Sequence, residues 1–180
     1  NFLLSLSGGL MASYLISKGD PFWTFSGGLA GIIGASAGND LYHPMQALII
    51  GAIVPMLAYK LHYYVERRFK IDDAVGAVAV HGYAGFMGVV IAGFVLWGAP
   101  SSPYEGYATI NPLGQLVGAF IMFGLLGFLP GYVVAKIQAA RGTLRIPVEV
   151  ELQGLDMGSQ KAYEAAIAEI NRASHDHIKA

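Results

Sequence analysis

Five apolar stretches, each reaching or approaching the length of a membrane-spanning helix, dominate this chain of 180 residues. They cover residues 2–17, 22–38, 45–65, 74–98 and 113–139. A helix needs roughly 20 apolar residues to cross the hydrocarbon core of a bilayer. Charged residues make up only 13% of the chain, against roughly 25% in an ordinary soluble domain. We therefore predict a membrane protein.

The composition of these stretches favours helices over a barrel. Lipid tolerates only helices and closed barrels, because every backbone polar group must be satisfied within the protein. The alternation of apolar and polar residues that barrel strands show is missing. We predict an all-α fold, a polytopic bundle of five transmembrane helices within residues 1–139, followed by a tail over residues 140–180.

Basic residues follow the first, third and fifth stretches, and none follows the second or the fourth. They are Lys18 after the first stretch, Arg67, Arg68 and Lys70 after the third, and Lys136, Arg141 and Arg145 at the end of the fifth. With five crossings these residues fall on one side, which the positive-inside rule makes cytoplasmic. The sequence thus predicts a multi-pass protein of the inner or plasma membrane with its C-terminus in the cytoplasm.

Several classes of function are excluded by composition. The chain has no cysteine, so disulfides, thiolate metal sites and cysteine nucleophiles are excluded. The net charge is -1 and no basic cluster suggests nucleic acid. His175 and His177 are two residues apart, which does not make a helical metal site. We predict no metal, no cofactor and no enzymatic activity. Because Asn1 leads directly into an apolar run, we interpret the chain as a piece of a longer protein.

His81 is the first functional candidate, because it is an ionisable residue inside the fourth apolar stretch. Such residues are costly in lipid and tend to mark pathways for ions, protons or substrates. A histidine that is satisfied by packing is the alternative. Gly82, Gly85 and Gly88 follow at helical spacing, which favours close helix packing and also leaves room for a narrow conduit.

The residues around His81 resemble a known signature. Asp72 and Asp73 precede a run that reads Val-His-Gly-x-x-Gly-x-x-Gly. This segment looks like the tenth helix of the ammonium transporter (Amt/Rh) family, where a cytoplasmic Asp-Asp pair precedes the same run. Four further blocks are similar to family segments: residues 26–34, 47–51, 144–147 and 151–156. The resemblance covers approximately residues 1–160.

The resemblance implies the C-terminal part of a transporter with eleven membrane helices, from within the seventh helix onward. It also implies that His81 is one of two pore histidines that share a hydrogen bond, the other lying outside this chain. The family fold that the resemblance implies consists of two inverted five-helix repeats. Inverted repeats place the substrate site at their interface near the midplane of the membrane. Val78 lies three residues before His81 on the same helix face and matches an apolar pore-lining position. Simple packing in lipid or core is the alternative for Val78.

Asp72 and Asp73 precede the apolar run, so we predict that they cap its helix and complement the helix dipole. With Asp73 taken as the helix start, His81 lies roughly 12 Å deeper. Ser36 keeps a hydroxyl where the eighth helix of the family usually ends in Thr-Pro-Ala-x-Gly, and it is a candidate for pore lining or helix packing. His43 and His62 match no family position, and we expect both to be solvated at the surface.

The function that the resemblance implies is transport of ammonium or ammonia through a narrow apolar pore, without ATP. A non-conducting ammonium sensor on the same scaffold and an accessory membrane subunit without transport activity remain alternatives. The resemblance further implies a homotrimer and a possible PII-type signalling protein at the cytoplasmic tail. Within that tail, residues 159–177 have the pattern of an amphipathic helix.

Overall fold

The computed structural model describes residues 1–153, 164, 167 and 168. The helices in the first of these ranges are α1 (Phe2–Ile16), α2 (Pro21–Ala35), α3 (Pro44–Phe69), α4 (Val78–Val95), α5 (Pro112–Ala140) and α6 (Val148–Gln153). A short 3-10 helix over Ser36–Gly38 follows α2. The described residues contain no strand, only an isolated antiparallel bridge between Pro100 and Thr109. The predicted all-α fold is confirmed. The amphipathic helix predicted for residues 159–177 falls almost wholly outside the described residues.

Three of the helices are long and apolar enough to cross a membrane, namely α3, α4 and α5. Helices α1 and α2 have 15 residues each, fewer than the roughly 20 of a full crossing. That all five cross the membrane therefore stays a prediction. Residues Asn1–Phe128 form one compact unit and Leu129–Ala180 a second.

Three helices begin with the same arrangement, a side-chain cap followed by proline. Asp20 Oδ1 accepts a hydrogen bond from the Trp23 N–H at 2.8 Å at the start of α2. His43 and Gln46 form a capping box at the start of α3. Asn111 accepts from a backbone N–H of α5 at 2.7 Å. The caps satisfy free N–H groups, and proline has none to satisfy. His43 is exposed, as the sequence predicts.

Helices α1, α2 and α3 form a bundle in which consecutive helices run in opposite directions. At one end, Asn1 Nδ2 donates to the carbonyl oxygens of Asn39 and Tyr42, which lie between α2 and α3. At the other end, Trp23 Nε1 at the start of α2 donates to the Tyr63 hydroxyl near the end of α3 at 2.8 Å. The start of α2 and the end of α3 thus lie together.

Glycines bring the helix backbones of the bundle into direct contact. A Cβ added at Gly31 of α2 would lie 2.5 Å from the Ser5 carbonyl oxygen and 2.8 Å from that of Gly51. A Cβ added at Gly88 of α4 would lie 2.9 Å from Cα of Gly34. No side chain fits at these crossings. Gly88, the last glycine of the series after His81, therefore packs α4 against α2.

Helix α4 begins later than its apolar stretch. It begins at Val78 and not at Ala74, and its first residues, Val78–Tyr83, form a π-helix. The delay has a local cause, because Gly76 adopts a left-handed conformation with φ 66° that interrupts a helix. His81 lies three residues beyond the helix start. The expected depth of about 12 Å assumed a helix start at Asp73, and the helix begins at Val78 instead.

Aromatic contacts join α5 to α4. The Phe86 ring of α4 lies 5.4 Å from the ring of Phe120 and 5.7 Å from that of Phe123, both edge to face. Residues Ile121–Phe128 of α5 form a second π-helix. Most of α5 is exposed, and 6% of its most apolar window is buried.

In the second unit, Arg145 Nη2 donates to both carboxylate oxygens of Glu151, at 2.9 and 3.0 Å. The pair links the turn after α5 to α6. Both side chains are exposed, so its expected contribution to stability is small, at most about 1 kcal/mol.

Candidate functional site

His81 lies in the first turn of α4 with its side chain exposed. Within the described part of the chain the imidazole has no hydrogen-bond or ion-pair partner. From Ala84 to Val95 the residues of α4 are apolar. The structure therefore presents an unpaired imidazole on the outer surface of an apolar helix.

Val78 stands beside His81. The two residues are three positions apart in the π-helical start of α4, and both are exposed. Val78 is 47% exposed. A Cβ added at Gly82 would meet only Cγ1 of Val78, at an ordinary contact distance of 3.5 Å. We call Val78, His81 and Gly82 the exposed face of α4.

Gly85 and Ser36 have different surroundings. A Cβ added at Gly85 would lie 3.3 Å from Cζ of Phe123 and 3.6 Å from Cγ2 of Ile33, so this glycine lies where α4 packs against α5 and α2. The Ser36 hydroxyl, directly after α2, donates to the carbonyl oxygen of Ile32 in the last turn of that helix, at 2.7 Å. Both positions have local structural roles.

Asp73 is joined directly to the start of α4. Its Oδ1 accepts a hydrogen bond from the Val78 N–H at 3.1 Å, and its Oδ2 accepts from the Ala79 N–H at 2.9 Å. The carboxylate thus satisfies two free N–H groups of the first turn from five and six residues upstream. Asp72 is exposed. Of the acidic pair, Asp73 is the one that holds the helix start.

His62 is buried, contrary to the expectation of a solvated side chain. The residue is 8% exposed, and its Nδ1 lies 3.5 Å from Asp73 Oδ2. Its ring packs edge to face on Trp23 of α2, with 4.9 Å between the centroids. Burial comes from partners that are distant in the sequence.

The sequence does carry a signal for the burial of His62. The buried positions of α3 recur at helical spacing, and they include Val54 and Ala58. Four residues beyond Ala58 the same stripe reaches His62.

A polar pocket of about 250 Å³ adjoins His62 and the segment before α4. Carboxylates of Asp20, Glu66, Asp72 and Asp73 line it, together with aromatic rings. Among the described residues, no group of three or more His, Cys, Asp or Glu side chains has the arrangement of a metal site. The pocket therefore places negative charge at the end of the bundle where α4 begins.

Comparison with known families gives one match. The sequence profile of the Ammonium Transporter Family matches residues 3–164 of the chain. No solved structure gives a significant match.

Curated relatives agree with this match. The chain is 30% identical to ammonium transporter Amt1 of Methanocaldococcus jannaschii, over 85% of this chain and 38% of the relative. It is 31% identical to Amt2 of the same organism, over 88% of this chain and 36% of the relative. An ammonium transporter of Bacillus subtilis is 26% identical over 88% of this chain and 41% of the relative. The chain thus spans well under half the length of these relatives.

Proposed function

The chain belongs to the ammonium transporter family, and on that premise we propose that it supplies part of a pore for ammonium or ammonia, with His81 and Val78 on the pore wall. It is a multi-pass membrane protein. The observation that carries the proposal is the unpaired, exposed imidazole of His81 in the first turn of an apolar helix.

An imidazole in this position needs a partner or a cavity. Placing an ionisable side chain against lipid costs several kcal/mol, so such residues face the interior of a bundle or a water-filled cavity. Since the described residues offer His81 no partner, we propose that it faces a second histidine from a part of the protein outside this chain. The two imidazoles then form a hydrogen-bonded pair in an otherwise apolar pore.

The chemistry of imidazole suits this substrate. Each ring has one nitrogen that donates and one that accepts, so it can pass a proton along a hydrogen bond. Ammonium is costly to strip of water, whereas neutral ammonia enters an apolar channel readily. Potassium has no proton to lose and stays excluded. The apolar wall that Val78 contributes supports this discrimination.

The same proposal includes the arrangement in the membrane. We propose five crossings, an inner or plasma membrane location and a cytoplasmic tail over residues 140–180. Arg67, Arg68 and Lys70 support this orientation, because they lie at the end of α3 that adjoins the start of α4. We further propose a homotrimer and a binding site for a PII-type protein on the tail.

Flux measurements test the pore. The full-length protein is reconstituted in liposomes, and ammonium and methylammonium flux are measured for the native protein and for His81→Ala. We expect the variant to lose selectivity against potassium and to change flux at least about tenfold, as expected for loss of a group that contacts the permeating species. Phe94→Leu, at an exposed position of the same helix, is the matched control.

Unchanged, selective flux in His81→Ala would contradict the role of His81. Specific ammonium binding by the native protein without any flux would contradict conduction and favour the sensor.

A further inference from the structure

We propose that His62 is a positioning residue for the pore, acting through Asp73 to hold the first turn of α4, on which Val78 and His81 stand. The inference rests on the pore role proposed above for that turn. His62 itself lies on α3 and is four residues from Glu66 and eleven from Asp73 in the sequence.

A short chain of contacts connects His62 to the exposed face of α4. His62 Nδ1 lies 3.5 Å from Asp73 Oδ2, and that same oxygen accepts the Ala79 N–H at 2.9 Å. The other oxygen, Oδ1, accepts the Val78 N–H at 3.1 Å. A displacement of the carboxylate therefore moves the amides that define where α4 begins. His81 follows within the same turn.

Burial makes these contacts matter. The side chains of His62 and Asp73 are 9% and 10% exposed. If either side chain loses its contact with the other, water can therefore replace little of that contact. A buried carboxylate requires donors or a positive charge close by. The two amides of α4 supply the donors, and the imidazole supplies the polar neighbour on the side of α3. Without it, Asp73 keeps its hydrogen bonds to α4 but loses its fixed position relative to α3.

His62 is itself held in place by rings. Its ring lies edge to face on Trp23, and on Tyr63 with 5.0 Å between the centroids. The Trp23 Nε1–H donates to the Tyr63 hydroxyl at 2.8 Å, which fixes these two rings to each other. The imidazole is therefore a rigid support, and its position is set by α2 and α3 together.

Charged groups around His62 do not replace Asp73. Glu66 Oε2 lies 4.0 Å from Nε2, and the Glu66 side chain is 44% exposed. Asp20 and Asp72 line the adjoining pocket. Among these carboxylates, Asp73 is the one within 3.5 Å of the ring that also bonds to α4. The contact with Asp73 thus connects α3 to the first turn of α4.

Hydrogen–deuterium exchange of the full-length protein in lipid nanodiscs tests this route directly. His62→Phe keeps an aromatic ring against Trp23 and Tyr63 and removes the nitrogen that faces Asp73. His62→Gln keeps an N–H donor and serves as the conservative rescue. Tyr63→Phe, which removes the bond to Trp23 and leaves the Asp73 contacts, is the matched control for the aromatic cluster.

We expect His62→Phe to speed exchange of the peptide that contains Val78 and Ala79 about tenfold, the scale of coupling between residues in contact. His62→Gln should restore most of the protection, and Tyr63→Phe, which keeps both rings and the Asp73 contacts, should raise exchange much less than His62→Phe. In an Asp73→Asn background, His62→Phe should add less than in the native protein. The ratio of ammonium to methylammonium flux should shift in His62→Phe, and this ratio does not depend on how many molecules are folded.

Native exchange at the start of α4 in His62→Phe would overturn the positioning role. So would an equal increase in Tyr63→Phe, or full additivity with Asp73→Asn, because each would mean general loosening of the cluster. Failure of the pore proposal has a different signature: flux is absent in the native protein while the exchange pattern of the variants is as expected.

Discussion

Helices α3 and α5 are both long enough to cross a membrane, yet the more apolar of the two is the less buried. The most apolar window of α3 has a mean hydropathy of 1.4 and is 33% buried, whereas that of α5 has 2.0 and is 6% buried. Hydropathy identifies a membrane helix, because it reports the free energy of transferring side chains from water to the membrane. It does not identify the partner of that helix, which depends on the shapes of the surfaces that meet.

The glycines of α3 and α5 also differ in whether another helix lies against them. In α3, a Cβ added at Gly51 would lie 2.5 Å from Cα of Ser5 in α1. In α5, a Cβ added at Gly118 or Gly124 would meet no atom within 4 Å. Small residues permit close approach of helices; among the described residues Gly51 and Gly88 lie at such approaches, whereas Gly118 and Gly124 do not.

The largest expected effect is that of Gly51→Leu. The new side chain would overlap the backbone of α1, so we expect a loss of more than about 3 kcal/mol in the free energy of unfolding. Gly118→Leu on α5 is the matched change and should alter it by less than about 0.5 kcal/mol. Unfolding in detergent measures both. Equal losses would mean that α5 is covered at Gly118 in the assembled protein and packs as closely there as α3 does at Gly51.

Phe86→Ala should detach α5 from α4. It removes both ring contacts, with Phe120 and Phe123, so we expect a loss of about 2 kcal/mol. The loss should appear as faster hydrogen exchange in α5 and not in α1. Phe94→Ala, at a residue that is 62% exposed, should have little effect. An unchanged exchange rate in α5 after Phe86→Ala would show that other contacts hold this helix.

The loop before α3 and the loop before α5 differ in the burial of a tyrosine, and this difference should appear in the stability at alkaline pH. Burial raises the pKa of Tyr42, between α2 and α3, to about 12 from a usual 10.0. Between these two values the unfolded chain has lost the phenol proton and the folded chain keeps it. The free energy of unfolding should therefore fall as pH rises, by up to about 1.4 kcal/mol per pH unit.

Tyr42→Phe should remove this alkaline loss. The Tyr42 hydroxyl is buried without a hydrogen-bond partner among the described residues, so the change should cost little at neutral pH. Tyr104, between α4 and α5, is 75% exposed, and Tyr104→Phe is the control that should leave the pH dependence intact. The same alkaline loss in native protein and Tyr42→Phe would refute the assignment.

The fold class and the charged end of α3 could be predicted from the sequence, because both follow from local composition. The start of α4 could not. The apolar stretch begins at Ala74, but Gly76 is left-handed and the helix begins at Val78. Hydropathy does not report backbone conformation. For the same reason, the π-helical segments of α4 and α5 could not be predicted from the sequence.

The site divides in a similar way. His81 and Val78 were candidates from their place in an apolar run and from the resemblance, and their pore role stays a prediction. His62 was missed, because its partners Trp23 and Asp73 come from other segments of the chain. A contact between distant segments leaves no local pattern, although the stripe of buried residues along α3 ends at this histidine.

The claim that the exposed face of α4 lines the pathway is tested most directly by blocking it. This chain has no cysteine. Val78→Cys and Phe94→Cys therefore each introduce a single thiol into α4, at positions that are 47% and 62% exposed. Flux through liposomes is measured before and after complete labelling with a methanethiosulfonate reagent. We expect labelling at position 78 to abolish ammonium flux and labelling at position 94 to leave it unchanged. Full flux through protein that is completely labelled at position 78 would contradict the claim.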